Sequence, residues 1–468
     1  MIPMTLSRIA DAVGGKIIAR DWSLAKQTKV LRVSTDSRDV RRGDVFVAIR
    51  GPCFDGHSFL DEAVAKGAVA CLVEEGGAAD VNGPVVLIDD SIAALGRLAT
   101  YYRRDVLPVS VTVVGVTGSN GKTTTKTMID HVLGVALNGK ASPKSFNNHI
   151  GVPLTILSAD ANDEYLVVEI GTNNPGEIAA LATMASPNVG VITSVGEAHL
   201  EGLGDLRSVA AEKASLLAQI RPMGLAVVNI DRPEIRPYVA QLPQVRLVTV
   251  GTTRAARLHV DKACSSLTST TFELEGRYTV ELPMPGAHHA TNAAATFAVA
   301  RWFGVATEEI IARLRTFVPP EGRTRRLDAA GVTIIDDAYN ANPSSVLAAV
   351  EALRSAKAER RIFVLGDMLE LGKERAAAHE RTVAAILSSG IEVLVAVGPN
   401  TCAAVKVAAS ASAGVELYAC DEAGDTIETL ERLMQPGDAI WIKASRAMQL
   451  DTVVRALAQR AMPTAAVA

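Results

Sequence analysis

The sequence has few aromatic residues, no surplus of basic residues, no paired-cysteine motif and no long apolar run. Acidic residues number 51 against 47 basic ones, and the net charge of −4 gives no reason to expect nucleic acid as a partner. The five cysteines lie far apart, outside any CxxC or zinc spacing, which predicts reduced thiols. No stretch approaches the roughly 18 apolar residues of a membrane span, and no signal region opens the chain. These absences predict a cytoplasmic protein without stable membrane insertion.

What the sequence does have is a repeated alternation of apolar strands and helical stretches. Its 468 residues, 48% of them hydrophobic, predict an α/β protein of several domains. We expect a small N-terminal α/β domain over residues 1–105, a central domain over 106–318 and a C-terminal Rossmann-like domain over 319–468. The strands predicted for the central domain are Val109–Val114, Leu166–Ile170, Val189–Thr193 and Leu225–Asn229. This alternation predicts a mostly parallel sheet, with ligand loops at the carboxyl ends of its strands.

The C-terminal domain repeats the alternation. Its predicted strands are Val332–Asp336, Ile362–Gly366, Val393–Val397 and Ala439–Lys443. No GxGxxG follows the first of them, so a dinucleotide-binding role is not expected.

The central domain contains a motif typical of a phosphate-binding loop. Residues 115–127 read Gly-Val-Thr-Gly-Ser-Asn-Gly-Lys-Thr-Thr-Thr-Lys-Thr and directly follow an apolar run. In such a strand–loop–helix unit, backbone N–H groups bind nucleotide phosphates, the lysine neutralises their charge and the threonine hydroxyl reaches Mg²⁺. The glycines fall at Gly115 and Gly118 rather than at the strict Walker spacing. The alternative is an incidental Gly/Ser turn, but the coincidence of strand, loop, Lys-Thr and helix favours an ATP- or GTP-binding protein.

Two further side chains follow predicted strands of the same sheet. Glu169 lies where the run Leu166–Ile170 ends, a position that suits a Mg²⁺ ligand beside the Thr123 hydroxyl. The alternative for Glu169 is a solvated glutamate that enters a turn. His199 lies beyond the strand Val189–Thr193, and a lone histidine in such a place has no special role by itself.

Basic side chains on helical stretches are expected at the protein surface. The pair Arg103-Arg104 reads as solvated. Lys213 stands on the helical stretch Leu206–Ala218 among alanines, and taken alone such a lysine is exposed or extends to solvent.

Together these segments closely resemble the Mur ligases, the ATP-dependent amide-forming enzymes of peptidoglycan precursor synthesis. The resemblance extends over all three domains, in order. It is carried by the segments Gly118–Thr124, Asn147–Leu154, Glu169–Ile178, Asp336–Pro343 and Leu365–Gly372. It implies an α/β fold of three domains: a substrate domain, a phosphate-loop ATPase domain and a Rossmann-like domain.

The resemblance also implies the reaction. The substrates would be ATP, UDP-N-acetylmuramoyl-tripeptide and D-alanyl-D-alanine, with Mg²⁺ as the cofactor, an acyl phosphate as the intermediate and a monomeric enzyme. One alternative is a sister Mur ligase that adds the third amino acid to the UDP-muramoyl-dipeptide. Others are a phosphate-loop switch or motor and a non-catalytic scaffold.

Roles for individual residues come from the same resemblance. The residues implied in ATP binding are Gly118, Ser119, Asn120, Gly121, Lys122, Thr123, Thr124, Asn292, Arg323 and Asp337. The residues implied in metal binding are Thr123, Glu169, His199 and Lys213, the last as a carbamylated lysine. The residues implied in substrate binding are Ser37, Arg38, Asn147 and Asn148. Catalytic roles fall to Lys122, Glu169, His199, Lys213, Arg323 and Asp337, completed by the segment Lys443-Ala444-Ser445-Arg446.

The chain departs from the family pattern at three positions. His289 stands where the adenine motif usually has asparagine, Ala444 where a glycine is usual, and His149 where aspartate is common. None of these differences removes a group that the chemistry needs.

Overall fold

The computed structural model describes residues 1–51, 54–76, 83–240, 244–408 and 414–459, so Cys53 lies outside the described residues. The four described cysteines are free thiols. No helix formed by the described residues has the length and apolarity of a transmembrane span. The chain forms three successive α/β units on three large sheets, as the sequence predicts. The domain boundaries at 105/106 and 318/319 stay predictions.

The N-terminal domain is built on a five-stranded sheet. Its strands β1–β7 are Met4–Thr5, Lys16–Ile18, Lys29–Val30, Arg32–Ser34, Asp44–Val47, Ala70–Glu74 and Val85–Ile88. Its helices α1–α4 are Leu6–Val13, Trp22–Gln27, Leu60–Ala65 and Ser91–Tyr101. The sheet order is β2-β7-β6-β5-β4, parallel except for β2, while β1 and β3 pair separately.

The central domain contains a nine-stranded sheet. Its strands β8–β16 are Thr112–Thr117, Gly139–Ala141, Tyr165–Glu169, Val189–Ile192, Leu225–Asn229, Arg246–Gly251, Leu258–Ser265, Thr270–Leu274 and Tyr278–Leu282. Its helices α5–α12 are Lys122–Leu133, Gly151–Ser158, Glu177–Ala185, Leu200–Leu203, Leu206–Ala214, Arg236–Val239, His289–Trp302 and Thr307–Leu314. The order is β16-β15-β14-β13-β12-β11-β8-β10-β9, and only the β14-β15-β16 edge is antiparallel.

Strands β8, β10 and β11 lie inside this sheet and are apolar along almost their whole length because both of their faces are covered. One face packs against α5, α11 and α12. The other packs against α6, α7 and α9, and its buried side chains join those of the N-terminal domain in a single core. The carboxyl ends of β8, β10 and β11 therefore form a firmly supported edge.

The C-terminal domain has a six-stranded sheet with helices on both faces. Its strands β17–β22 are Arg325–Ala329, Val332–Asp337, Arg360–Gly366, Val393–Val397, Glu416–Cys420 and Asp438–Lys443. Its helices α13–α17 are Pro343–Arg354, Arg375–Leu387, Pro399–Ala408, Ala423–Leu433 and Asp451–Gln459. The order is β17-β18-β22-β19-β20-β21, parallel except for β17. The core forms two clusters, one on each face.

Some predicted boundaries were wrong. The strand predicted at Val109–Val114 is in fact β8, Thr112–Thr117; Val109 is 86% exposed because it lies in a turn before the strand. The helix predicted over Leu206–Ala218 ends at Ala214, after which the chain turns through Leu217–Gln219.

The prediction that Arg103 is solvated was also wrong. Its side chain is buried, and its guanidinium donates to the carbonyl oxygens of Ala185 and Ser186 and to Oδ1 of Asn188. These acceptors lie at and just after the C-terminal end of α7, where helix carbonyls have no partners within the helix. Arg103 thus joins the end of the N-terminal domain to the central sheet, while Arg104 stays exposed.

We expect Arg103→Ala to lower the free energy of unfolding by about 3 kcal/mol, because four buried or partly buried acceptors, the carbonyls of Val111, Ala185 and Ser186 and Oδ1 of Asn188, lose a donor. The matched control is Arg104→Ala, which removes an exposed arginine and should change stability little. Urea unfolding of both variants, followed by circular dichroism, measures the difference. Equal stabilities of the two variants would contradict the structural role of Arg103.

Candidate active site

The positions of the glycines in the phosphate loop follow from close backbone approaches. The loop links β8 to α5, and Gly118 and Gly121 both have positive φ angles, 148° and 82°. A Cβ atom on Gly118 would lie 2.0 Å from Oγ1 of Thr193, and one on Gly121 would lie 2.5 Å from Oδ1 of Asn292. Glycine is favoured at these two points, and Gly118 is one of the two glycines that depart from the Walker spacing.

The end of β11 holds the loop in shape. The amide of Ser119 donates to the carbonyl of Ser194, and the amide of Asn120 donates to its hydroxyl, both at 2.9 Å. The next amides belong to the first turn of α5, which begins at Lys122 and whose N–H groups have no partners within the helix. Residues 119–124 help to line a cavity of about 760 Å³. Free N–H groups at the start of a helix beside such a cavity form an anion-binding site.

Lys122 and Thr123 both lie in this cavity. Nζ of Lys122 donates to the carbonyl of Gly118, in the phosphate loop, at 2.7 Å. From this position the amine would also contact a phosphate bound by the loop. Burial lowers the pKa of Lys122, against the opposing effect of Glu169. Oγ1 of Thr123 lies 3.3 Å from Oγ of Ser145 and accepts from Nη2 of Arg323 at 3.3 Å.

Glu169, at the end of β10, is buried rather than solvated: its exposure is 1%. Its Oε1 accepts from Nδ2 of Asn147 at 2.9 Å, while its buried Oε2 has no hydrogen-bond donor and lies 3.5 Å from Nζ of Lys126. Lys126 is itself committed to the carbonyl oxygens of Ser142 and Lys144. A buried carboxylate oxygen without a donor is costly unless a cation binds it, so Glu169 fits the role of a metal ligand.

His199 caps the N-terminus of α8 in a left-handed conformation, with φ 57°. Its buried Nδ1 lies 2.7 Å from Oε2 of Glu370, which belongs to the C-terminal domain, but the angles of this contact are not those of a hydrogen bond. Burial lowers the pKa of His199 and favours the neutral ring, the form that binds metal ions.

Among the residues of this site, Lys213 has the burial that differs most from what its neighbouring sequence predicts. It is completely buried, and its Nζ has no hydrogen-bond partner, so the expectation of an exposed lysine was wrong. Burial, with a contribution from the charge of Lys122, lowers the pKa of Lys213 well below its usual value. An amine that is kept neutral is able to add carbon dioxide and form a carbamate.

Glu169 and His199 line the cavity whereas Lys213 does not, and the chemistry of the three side chains suits metal binding once an anion is added. In the part of the chain that the structure describes, no three His, Cys, Asp or Glu side chains are gathered to hold a metal ion. Glu169 and His199 supply two ligands of the right chemistry, and a carbamate on Lys213 would supply a third.

The C-terminal domain completes the cavity with Arg323, Asp337 and Lys443. Nζ of Lys443 donates to Oδ2 of Asp337 at 2.6 Å, and the guanidinium of Arg323 lies 4.0 Å above the Tyr339 ring. Ala444, in place of the usual glycine, is accommodated because Gly366 faces it: a Cβ on Gly366 would lie 2.5 Å from the Ala444 methyl group. The methyl group is buried there and leaves the loop intact.

Asn292 lies on α11 against the phosphate loop. Its Nδ2 lies 3.2 Å from Nδ1 of His289, and Nε2 of His289 lies 3.1 Å from Oγ1 of Thr324. His289 therefore contacts both Asn292 and Thr324, and so links Asn292 to the start of the C-terminal domain.

The four residues implied in substrate binding lie in two places. Asn147 and Asn148 line the cavity; Asn147 binds Glu169, and Oδ1 of Asn148 accepts from the amides of Ile150 and Gly151 at the start of α6. Ser37 and Arg38 do not line this cavity. Ser37 donates to Glu62, and Arg38 pairs with Asp36 at the surface. A contact between Ser37 or Arg38 and substrate stays a prediction.

Sequence reasoning missed two residues of this site, Lys126 and Glu370. Lys126 stands within the quoted run Lys-Thr-Thr-Thr-Lys, four residues after Lys122, and this spacing places both lysines on one side of a helix. Glu370 stands within the quoted segment Leu365–Gly372, but nothing in the sequence links it to His199.

Comparison with known proteins defines the class to which this fold and site belong. Residues 29–103 match the Mur ligase family catalytic domain, residues 116–300 the Mur ligase middle domain, and residues 322–446 the Mur ligase glutamate ligase domain. The chain belongs to the Mur ligase family.

Its similarity to individual members covers whole chains. It is 33% identical to the UDP-N-acetylmuramoyl-tripeptide--D-alanyl-D-alanine ligase of Bacillus subtilis (strain 168), over 98% of this chain and 99% of that protein. A crystal structure of MurF from Acinetobacter baumannii superposes with a TM-score of 0.87 at 28% identity, over 98% and 99% of the two chains. MurF ligase from Thermotoga maritima, solved in complex with ADP, gives a TM-score of 0.78 at 29% identity, over 92% of this chain and 97% of that one.

We expect Lys213→Met to raise the free energy of unfolding by roughly 2 kcal/mol, because it replaces a buried, unpartnered amine with an apolar side chain of similar length. Thermal unfolding near neutral pH, in buffer free of carbon dioxide and metal ions, measures the change. The control is Lys406→Met, which alters an exposed lysine on α15 and should leave stability nearly unchanged. A destabilised Lys213→Met variant would show that the amine has a stabilising partner in solution.

Proposed function

We propose that the protein is an ATP-dependent ligase that joins D-alanyl-D-alanine to UDP-N-acetylmuramoyl-tripeptide. Its products would be the UDP-muramoyl-pentapeptide precursor of peptidoglycan, ADP and phosphate. The observation that carries the proposal is the buried, unpartnered amine of Lys213 in the same central domain as the phosphate loop, Glu169 and His199. The full-length similarity to ligases of this name selects the substrates.

The first step would be activation of the tripeptide carboxylate by phosphoryl transfer from ATP. The amides of the first turn of α5 and Nζ of Lys122 would bind the phosphates and offset charge that develops during transfer. Arg323, which reaches Thr123 from the C-terminal domain, would add a second cation at the same place. The product of this step is an acyl phosphate, whose phosphate is a good leaving group.

The second step would be attack of the D-alanyl-D-alanine amine on the acyl phosphate. The amine must lose a proton before it attacks, and the tetrahedral intermediate then expels phosphate. Water has to be kept away because it would hydrolyse the acyl phosphate. Docking of the C-terminal domain over the phosphate loop supports this exclusion: Nδ2 of Asn120 donates to Oγ of Ser344 at 3.0 Å, and Nδ2 of Asn342 donates to Oδ1 of Asn120 at 2.8 Å.

The cofactor of the proposed reaction is Mg²⁺. The residues that would hold it are Thr123, Glu169, His199 and the carbamylated Lys213, and the bound ion supplies positive charge against the phosphate oxygens. We further propose that the enzyme works in the cytoplasm as a monomer.

The nearest alternative is a sister ligase that adds a single amino acid to the UDP-muramoyl-dipeptide. It would share the phosphate loop and metal centre and differ in the pocket for the amine. The similarity to UDP-N-acetylmuramoyl-tripeptide--D-alanyl-D-alanine ligases over nearly the whole of both chains favours the main proposal.

A product assay decides between these reactions. The protein is incubated with ATP and Mg²⁺ and offered either UDP-muramoyl-tripeptide with D-alanyl-D-alanine or UDP-muramoyl-dipeptide with single amino acids. We expect mass spectrometry to find the pentapeptide product from the first mixture and no amide product from the second. ADP without any amide product would indicate a switch or motor, and product only from the second mixture would indicate the sister ligase.

Lys213→Ala tests the carbamate in the same assay. We expect activity to fall by about a hundredfold or more, since second-shell changes alone already cost metal sites ten- to a hundredfold. A small carboxylate such as acetate, added to the buffer, should restore part of the activity because it fits the space left by the carbamate. If Lys213→Ala keeps activity close to wild type without acetate, the proposed catalytic role of Lys213 is wrong.

A further inference from the structure

The carboxylate of Glu370, in the C-terminal domain, reaches the metal centre proposed for the central domain. Oε2 of Glu370 lies 2.7 Å from Nδ1 of His199. The carbonyl oxygen of Glu370 also accepts from the amide of Glu201, in the helix that His199 caps, at 3.2 Å. Side chain and backbone of Glu370 thus contact the same short helix, α8.

The segment that carries Glu370 is held rigidly from within its own domain. The amide of Leu369 donates to Oγ of Ser445 at 2.9 Å, and the amide of Met368 donates to Nε2 of His379 at 2.9 Å. Asp367 is buried and accepts from the amide and the hydroxyl of Thr401. These bonds hold the backbone on the N-terminal side of Glu370 in place.

Both partners of the contact have an unfavourable backbone conformation. His199 has φ 57° and Glu370 has φ 63°, in the left-handed region that favours glycine. Gly372 packs so closely on α8 that a Cβ there would lie 3.0 Å from Cα of Glu201. Residues held in this conformation persist where their surroundings determine it, and such residues cluster at functional sites.

We propose that Glu370 is a positioning residue for His199. Because Nδ1 of His199 lies 2.7 Å from the Glu370 carboxylate, Nε2 is the ring nitrogen left for the metal, and a hydrogen bond from Nδ1 to the carboxylate would form when the ion binds. A carboxylate on the second nitrogen of a metal-binding histidine raises the basicity of the ligand and fixes its direction. Since Glu370 belongs to the C-terminal domain, the His199 ligand is fully oriented only when that domain is docked. The role rests on the metal centre of the proposed function.

The contact between Glu370 and His199 is not explained by a contribution of this ion pair to holding the two domains together. The side chain of Glu370 is 50% exposed, and an ion pair at such a site adds little to stability. Arg381 and Glu197, whose charged atoms lie 3.9 Å apart, also connect the two domains, and the other ion pair of Arg381 is with Glu374 of its own domain. This second pair provides a matched control.

The test measures metal affinity and needs no peptide substrate. Full-length protein, saturated with a non-hydrolysable ATP analogue, is titrated with Mn²⁺, and the free ion is read from its electron paramagnetic resonance signal. We expect Glu370→Ala to weaken the His199-dependent Mn²⁺ site about tenfold or more, with unchanged affinity for the analogue. Glu370→Gln, which keeps an acceptor oxygen without the charge, should lie between Glu370→Ala and wild type. Arg381→Ala should bind Mn²⁺ as wild type does.

A double-mutant cycle shows whether Glu370 acts through the histidine. In a His199→Ala background, Glu370→Ala should cause no further loss of Mn²⁺ affinity. An equal loss in both backgrounds, wild-type Mn²⁺ affinity in Glu370→Ala, or parallel loss of Mn²⁺ and analogue binding would each overturn the proposal.

The outcomes also separate this role from the proposed reaction. Mn²⁺ binding that is insensitive to His199→Ala would overturn the positioning role together with the metal centre. A product assay without pentapeptide, beside an intact Glu370–His199 coupling, would overturn only the reaction.

Discussion

Burial of positive charge at one edge of the central sheet is the constraint around which this site is organised. The amines of Lys126 and Lys213 lie inside the protein, and that of Lys122 donates to the carbonyl of Gly118. The buried carboxylate of Glu169 acts on Lys122 and Lys126, and that of Glu212 acts on Lys213. Cations removed from water are costly unless anions compensate them. The arrangement therefore favours anionic groups, namely nucleotide phosphates and a carbamate, and the lowered pKa of Lys213 makes that lysine a suitable source of the second.

The C-terminal domain acts on this edge through a few polar contacts. Arg323 reaches Thr123, Asn342 and Ser344 bind Asn120, and Glu370 meets His199. Each contact ends on the phosphate loop, its helix or the proposed metal centre. The position of the third domain is thereby linked to the geometry of the residues that would carry out phosphoryl transfer.

The local sequence pattern was enough to predict the sheet and the phosphate loop. It failed for side chains whose burial or contacts depend on residues far away in the sequence. The strands Leu225–Asn229 and Val393–Val397 were predicted to the residue, because their apolar runs end at polar or turn residues. The burial of Arg103 was missed because its acceptors lie more than 80 residues away. The burial of Lys213 and the approach of Glu370 to His199 depend likewise on packing between helices and domains, which no short segment records.

The distribution of the hydrophobic cores bears on how the molecule can move. The N-terminal and central domains share one core cluster, whereas those of the C-terminal domain are its own, apart from contact with Leu267. Rotation of the first two domains against each other would expose apolar surface to water, but rotation of the third would break mainly polar contacts that water replaces. The first two domains thus form one cooperative body, and the seam with the third domain is where the molecule can open with the least exposure of apolar surface.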